Sequence, residues 1–353
     1  MADLSGQFID RVAAARAAGT PLYIEAGGSK RHLAGRSCDA PVLNVSGHRG
    51  IVDLQPSELV VTARAGTPLT ELAAELGEHR LELAFEPPLF SGNATVGGTL
   101  ACNFSGPARP WQGSIRDAVL GVQLINGKAE LLNFGGKVMK NVAGYDVSRL
   151  QAGALGTLGL LSEITLKVMP QAEARRTLAF EVSGADAISI MNNKAALPGP
   201  LNGACWVEGR LLLRLSGAEA AVTATAREWG GDVVPDGDDE WAALKELTLP
   251  FFNSDAPLWR ASIRANAPFA TLPTAQLIDW GGAQRWLRGE QDATTLQSQA
   301  QQAGGHISLF RGGNRTDEVR QPLNTIEKKL TKRLKDAFDP DGIFNPGRLY
   351  SWL

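Results

Sequence analysis

The chain has 353 residues, 44% hydrophobic and 20% charged, with a net charge of -2. That length favours two domains over one core, and the near-neutral balance excludes the basic field that nucleic acid needs. Three scattered cysteines, Cys38, Cys102 and Cys205, build neither a disulfide framework nor an iron–sulfur site, which implies a reducing compartment. His32, His48, His79 and His306 form no HxxxH spacing, so no metal site is expected. The N-terminus lacks the charged and apolar regions of a signal peptide, and no stretch reaches the roughly 20 apolar residues that span a bilayer. Membrane contact is expected only through partners.

Phe8, Ile9, Val12 and Ala15 predict an amphipathic helix ending near Gly19. A short strand, Leu22 to Ile24, runs into Ala26-Gly27-Gly28-Ser29-Lys30. Leu59 to Ala63 reads as a strand, and Thr67-Pro68 as N-cap and first position of a helix with Leu69, Leu72, Ala73 and Leu76 on one face. No GxGxxG turn accompanies this step, which argues against a Rossmann site. From Pro87 to Val168 glycines recur between short strands such as Ala118 to Ile125 and Ile164 to Val168. Backbone of that kind approaches an extended ligand closely, or simply makes many tight turns.

The texture changes after Met169-Pro170. Thr177 to Val182 is a predicted strand, Ala204 to Val207 and Arg210 to Leu215 a hairpin, and Ala218 to Trp229 a helix closed by Gly230-Gly231. Leu277 to Trp280, Gln284 to Leu287, a helix near Thr294 to Ala303, and His306 to Phe310 repeat that pattern. The repeat predicts a duplicated ferredoxin-like cap on one antiparallel sheet. Pro235 to Asp239 reads as a solvated loop between the units. Leu323, Ile326, Leu330, Leu334 and Phe338 stripe a last helix, with Lys328, Lys329, Lys332, Arg333 and Lys335 on its other, solvated faces.

A dinucleotide needs donors for two phosphate charges. Two segments offer them: Ala26 to Lys30, with a hydroxyl at Ser29 and a cation at Lys30, and Thr95 to Ala101 around Gly97-Gly98. Gly135-Gly136-Lys137 is not a Walker A loop, because Leu131 and Val138 stand where glycine and Ser or Thr are required.

In order along the chain, IEAGGSKRHLAG, EPPLFSGNATVGGTLACNFSG, WQGSIRDAVLGVQLINGK, GGKVMKNVAGYDVSRL and GALGTLGLLSEITLKV resemble the FAD domain of the vanillyl-alcohol oxidase and p-cresol methylhydroxylase superfamily. The resemblance runs from about Pro21 to Val168. The closing KDAFDPDGIFNPGRL is similar to the C-terminus of the 2-hydroxy acid dehydrogenase branch, and the compact length resembles its glycolate oxidase FAD subunits. The implied fold is α+β: a two-subdomain FAD-binding domain of p-cresol methylhydroxylase type over 1–170, a ferredoxin-like cap with a duplicated ββαβ unit over 171–322, and a helix and tail returning toward the FAD domain over 323–353.

The resemblance places the pyrophosphate at Gly27, Gly28, Ser29 and Lys30. It places flavin and diphosphate against Thr95, Gly97, Gly98 and Ala101. Gly113, Ser114 and Asp117 follow the dinucleotide, and Gly156, Thr157, Gly159 and Ile164 its ribityl and adenosine side. Ser29 stands where covalent members carry a histidine, which implies noncovalent FAD. The cap offers only His306 where the branch places histidines and a glutamate, so no catalytic residue is assigned.

The implied function is the FAD-binding subunit of a complex that oxidises glycolate or another small 2-hydroxy acid. Its partners would be a paralogous FAD subunit and an iron–sulfur subunit that takes the electrons. The alternative is a noncatalytic flavin-binding subunit supporting a paralogous catalytic flavoprotein. Either would be cytoplasmic, or peripheral at the inner face of the cell membrane. A substrate carboxylate would call for an arginine fork, for which Arg109, Arg116, Arg311 and Arg348 qualify by residue type.

Overall fold

The computed structural model describes residues 3–136, 146–273 and 276–353, so much of the segment GGKVMKNVAGYDVSRL lies outside the described residues. The chain opens with the helix Ser5–Ala18, stopped by Gly19 in the left-handed region at φ 61°. Its Phe8, Val12 and Ala15 pack with Leu22, Leu43 and Phe344 under a two-stranded parallel sheet of Tyr23–Glu25 and Val42–Asn44.

A five-stranded antiparallel sheet follows, in the order Ile51–Gln55, Val60–Arg64, Leu160–Lys167, Val119–Ile125, Leu131–Gly135. Its middle strand, Leu160–Lys167, is buried on both faces apart from Glu163 and Lys167, as befits a strand covered on two sides. The expected strand began only at Ile164, because the glycines at 153, 156 and 159 hid its apolar start.

The helix Leu69–Glu78 shares this sheet's core through Leu69, Leu72 and Leu76, each contributing about 2 kcal/mol by burial. Two expectations fail here. Pro68 is the N-cap, held extended at ψ 139°, and Thr67 instead turns its hydroxyl to the backbone of Gly50, 2.9 Å from its nitrogen. Ala73 is exposed, since the buried face is narrower than the apolar spacing suggested.

An eight-stranded sheet then runs in the order Asp232–Val234, Ala174–Glu181, Arg210–Gly217, Leu201–Val207, Gln276–Asp279, Gln284–Arg288, Leu258–Ser262, His306–Arg311. The strand order of the second four mirrors that of the first, and the halves join at Trp206 opposite Ile278. Each half thus begins with one strand more than the ββαβ pattern contained, and Leu258–Ser262 had not been anticipated at all. Pro235 to Asp239 is not a free loop: Gly237–Glu246 is a helix whose first turn carries Asp238, Asp239 and Glu240.

The last helix, Thr325–Phe338, is capped by Asn324 and Glu327 in a reciprocal box. Its periodicity misleads about packing, because Ile326 is 72% and Leu330 53% exposed while Lys335 is buried. Beyond it, the Leu22 amide donates to Ile343 O at 2.7 Å and the Asn345 amide to Leu22 O at 2.9 Å. The tail is thereby joined to the strand that leads into the first glycine loop.

Candidate functional site: a glycine-lined cleft and an arginine pocket

A cleft of about 740 Å³ opens between the loop 26–31 and the helix Val96–Cys102. The amides of Gly27, Gly28, Ser29 and Lys30 find no acceptor among the described residues. Successive unpaired amides in one short loop form a concavity for an anion. A Cβ on Gly27 would stand 1.8 Å from Asn93 O, so only glycine lets this loop lie against the segment leading to the second glycine pair.

Lys30 is 8% exposed, with its Nζ 3.3 Å from Ser29 Oγ and 5.4 Å from the centre of the Phe90 ring. No carboxylate is within ion-pair distance of it among the described residues. Burial lowers its ammonium to about 8, against the weaker opposing pull of Cys102 and Glu246. A buried cation without a counter-ion beside four free amides fits a diphosphate.

The second glycine pair acts differently from expectation. The Gly97 amide already donates to Ala65 O at 2.8 Å, and the Gly98 amide to Thr95 Oγ1 at 3.3 Å. Gly97 is required for closeness, since a Cβ there would meet the Ala65 Cβ at 2.7 Å.

Thr95, Gly97, Gly98, Ala101, Gly156 and Gly159 line the same cleft as the first loop. Five other expected residues do not line it. Ser114 and Asp117 cap the helix Ile115–Ala118 after Gly113, and hydrogen bonds from Ser114 hold the Asp117 carboxyl below its ordinary value. Thr157 is buried with its hydroxyl on Ala154 O at 2.7 Å, and Ile164 lies in the sheet core.

Sequence reasoning missed the tail's share of the cleft. Asn345 accepts from the Ile24 amide at 2.8 Å and donates to Leu155 O at 2.6 Å. Arg348 donates to Lys30 O at 3.0 Å and Leu33 O at 3.2 Å. The available signal was NPGRL at the C-terminus, where Arg348 was weighed for a substrate carboxylate and not for the loop.

A second, open pocket of about 1470 Å³ lies across Cys102-Asn103 from the cleft. Arg109, Arg260, Arg320 and His306 line it, together with Asn103 and Tyr350. Asn103 ends the glycine helix in the left-handed region at φ 54°, and its buried Oδ1 has no hydrogen-bond partner among the described residues.

Arg260 stands 5.0 Å from the centre of the Phe310 ring and 5.7 Å from that of Phe104. Burial lowers its guanidinium to about 10, and Arg320 and Arg109 push the same way. Arg320 is lowered chiefly by burial, and its Nε has no hydrogen-bond partner among the described residues. His306 is exposed at the start of its strand, yet desolvation of its ring by the pocket wall, then Arg260, Arg320 and Arg109, push it below its ordinary value.

Of the arginines considered from sequence for a carboxylate, only Arg109 faces this pocket. Arg116 is exposed on its helix, Arg311 holds Phe252 O at 2.5 Å, and Arg348 is held by the loop carbonyls. Arg260 went unremarked in the sequence, because the strand Leu258–Ser262 that carries it was not expected there.

Residues 5–135 match the family described as FAD binding domain. The chain is 43% identical over 351 residues to the glycolate oxidase subunit GlcE of Escherichia coli (strain K12), covering 99% of both chains. It is 30% identical over 165 residues to the glycolate oxidase subunit GlcD of Bacillus subtilis (strain 168), covering 45% of this chain and 34% of that one. In fold it is similar to the 4-ethylphenol oxidase from Gulosibacter chungangensis, with a TM-score of 0.69 at 13% identity over 99% of this chain and 88% of that one. An alkyldihydroxyacetonephosphate synthase is similar at a TM-score of 0.65 and 14% identity, over 97% of this chain and 75% of that one.

Proposed function

The chain belongs to the family of the glycolate oxidase subunit GlcE, and from that premise we propose that it is the FAD-binding subunit of a glycolate-oxidising complex. The observation that carries the reading is Lys30, buried without a counter-ion beside the free amides of Gly27, Gly28 and Ser29. Bound FAD would supply a two-electron acceptor for oxidation of a 2-hydroxy acid.

The chain's own contribution is placement and charge. Lys30 and the amides from Gly27 to Lys30 hold the diphosphate, while Asn345 and Arg348 fix the loop from behind. The attachment is noncovalent, because Ser29 offers no nucleophile comparable to a histidine. The partners would be a paralogous FAD subunit and an iron–sulfur subunit that takes the electrons, with any membrane contact made through them. No described helix is long and apolar enough to cross a membrane.

The test is purification of the chain alone and with its partners, followed by anaerobic addition of glycolate. The expected result is a yellow chain with about one FAD, bleached by glycolate at least in the assembled complex. A folded chain that takes up no FAD would overturn the reading.

A second reading, a noncatalytic flavin subunit beside a catalytic relative, is favoured by the cap strand His306–Arg311, which carries one histidine where the 2-hydroxy acid dehydrogenase branch carries more. Bleaching of the isolated chain by glycolate would remove that reading.

A further inference from the structure

Glu246 is the last residue of the helix Gly237–Glu246, at the end where the helix dipole disfavours a negative charge. Its side chain is nonetheless only 22% exposed, and each of its oxygens accepts a backbone amide from the FAD-binding domain. Oε1 accepts from Leu89 at 2.8 Å and Oε2 from Phe90 at 2.6 Å. We propose that Glu246 is a positioning residue for FAD: it holds the loop 86–93 in the shape that lets Gly27 and Lys30 receive the diphosphate, so that the cofactor is gripped only while the cap is seated. This rests on the function proposed above and extends it to a residue of the cap.

The loop 86–93 needs a holder. Glu86, Phe90 and Ser91 sit in the left-handed region at φ 47°, 46° and 56°, which costs free energy in residues that carry a side chain. Tight turns account for part of the loop, with the Gly92 and Ala94 amides donating to Leu89 O at 3.1 and 3.0 Å. The Leu89 and Phe90 amides instead go to Glu246, and without it they would be left part-buried and unpaired. The start of the loop is held from the same side, since Glu86 accepts from Arg214 at 2.8 Å and from the Ala108 amide at 3.0 Å.

The support behind Glu246 is rigid. Trp241 and Leu244 of its helix pack in a core shared with Leu33 and Phe104, and Trp241 Nε1 donates to Thr177 Oγ1 at 2.9 Å. What the loop carries then decides whether the cleft forms. The Phe90 ring lies 5.4 Å from Lys30 Nζ and meets Phe104 edge-on at 6.0 Å. Asn93 presents the oxygen against which Gly27 lies, and Thr95 caps the glycine helix. A loop released at Leu89 and Phe90 loses its hold on Lys30 and Gly27 together.

Glu246 also acts on Lys30 through its charge. Burial lowers the Lys30 ammonium, and Cys102 from the glycine helix and Glu246 from the cap oppose it. Burial pushes the Cys102 thiol up, so at pH 8 it is neutral and the Glu246 carboxylate supplies the opposing charge. Arg348 stands behind with its guanidinium on Lys30 O, and Lys245 Nζ lies 3.9 Å from Glu246. Removing the carboxylate must lower the pH at which Lys30 titrates, whereas removing a purely structural staple would not.

The experiment titrates FAD into the full chain stripped of flavin, following flavin fluorescence from pH 7 to 10, with near-ultraviolet circular dichroism as the check on folding. Glu246→Gln should weaken FAD at least about fivefold at pH 7 and start the fall in affinity at a lower pH than in the wild type. Glu246→Asp keeps the charge and shortens the reach, so affinity should fall severalfold with the pH profile kept. Glu240→Gln breaks the ion pair to Arg210 on the same helix and should leave both unchanged. A Gln variant with wild-type affinity, or with weakened affinity and an unmoved pH profile, overturns the inference. So does an Asp variant that binds FAD as the wild type does, which decides the matter even if the Gln variant does not fold. An equal loss in Glu240→Gln overturns it by assigning the effect to the stability of the cap. All three outcomes leave the proposed function standing, whereas a folded wild-type chain that takes up no FAD overturns both.

Discussion

Lys335 Nζ and Asp339 Oδ2 form a buried ion pair 2.7 Å apart, one helical turn from each other, and the same ammonium donates to Thr157 O at 2.8 Å and Phe344 O at 2.9 Å. One cation thus joins the last helix, the tail and the segment that carries Gly156 to the cleft. Asp339 also accepts the Phe344 amide at 2.8 Å. Asp339→Ala leaves Lys335 buried without its counter-charge, and the expected loss is about 3–5 kcal/mol. Urea denaturation measures it; a loss below about 1 kcal/mol would show that water reaches the ammonium.

FAD binding should take up a proton above pH 8. In the chain as described, burial lowers Lys30 to about 8, so at pH 9 much of it is neutral. A diphosphate beside it favours the charged form and raises that value. Affinity for FAD therefore holds below pH 8 and falls as pH rises through 8 to 10. Calorimetry at pH 9 in buffers of different ionisation enthalpy reads the proton directly. Lys30→Met should remove the uptake and weaken FAD roughly tenfold or more, and uptake persisting in that variant would move the effect to another group.

The loop's glycine is a matter of clearance. Gly27→Ala places a methyl group where Asn93 O stands, 1.8 Å away. The loop must then leave the segment that leads to Thr95, and FAD content should fall severalfold while circular dichroism stays native. Flavin retained at wild-type level would mean that the loop can shift without losing the cofactor. Acid precipitation of the wild-type chain should release all its flavin into the supernatant, and colour in the pellet would contradict noncovalent attachment at Ser29.

Local chemistry made the first half readable. Gly19 stops a helix in the left-handed region because no side chain resists it there, and the order of glycine loops named a cofactor before any coordinate did. Three-dimensional convergence was not readable. Arg260 and Arg320 are 60 positions apart by number and meet only because the last strands of the cap sheet bring them together. The roles of Asn345 and Arg348 depend on a tail that pairs with Leu22, more than 300 residues earlier. Burial of Lys335 defeated periodicity for a related reason: besides Asp339 one turn on, its acceptors are the backbone oxygens of Thr157 and Phe344, which a helical wheel does not contain.

The exposed stripe on the last helix makes a complementary test. Ile326→Ser and Leu330→Ser remove side chains that are 72% and 53% exposed. Each should change the stability of the isolated chain by no more than about 0.5 kcal/mol. A loss of 2 kcal/mol or more at either site would mean that the stripe is packed in solution.

Asp279 sets the last pH dependence. It is buried at the end of the strand Gln276–Asp279 and accepts the Trp280 amide at 2.7 Å. Burial raises its carboxyl to about 7, outweighing that hydrogen bond and the nearby Arg214. An acid whose folded value lies above its unfolded one, here 3.8, is favoured in the folded state while protonated. Its contribution is therefore fully present below pH 4 and is lost progressively as pH rises to 7. Asp279→Asn keeps an acceptor for Trp280 and removes the charge, so the variant should gain on the wild type by at least about 1 kcal/mol between pH 5 and pH 8. Paired urea denaturation at the two pH values gives the difference directly. A constant gap between the curves would place the Asp279 carboxylate in contact with water.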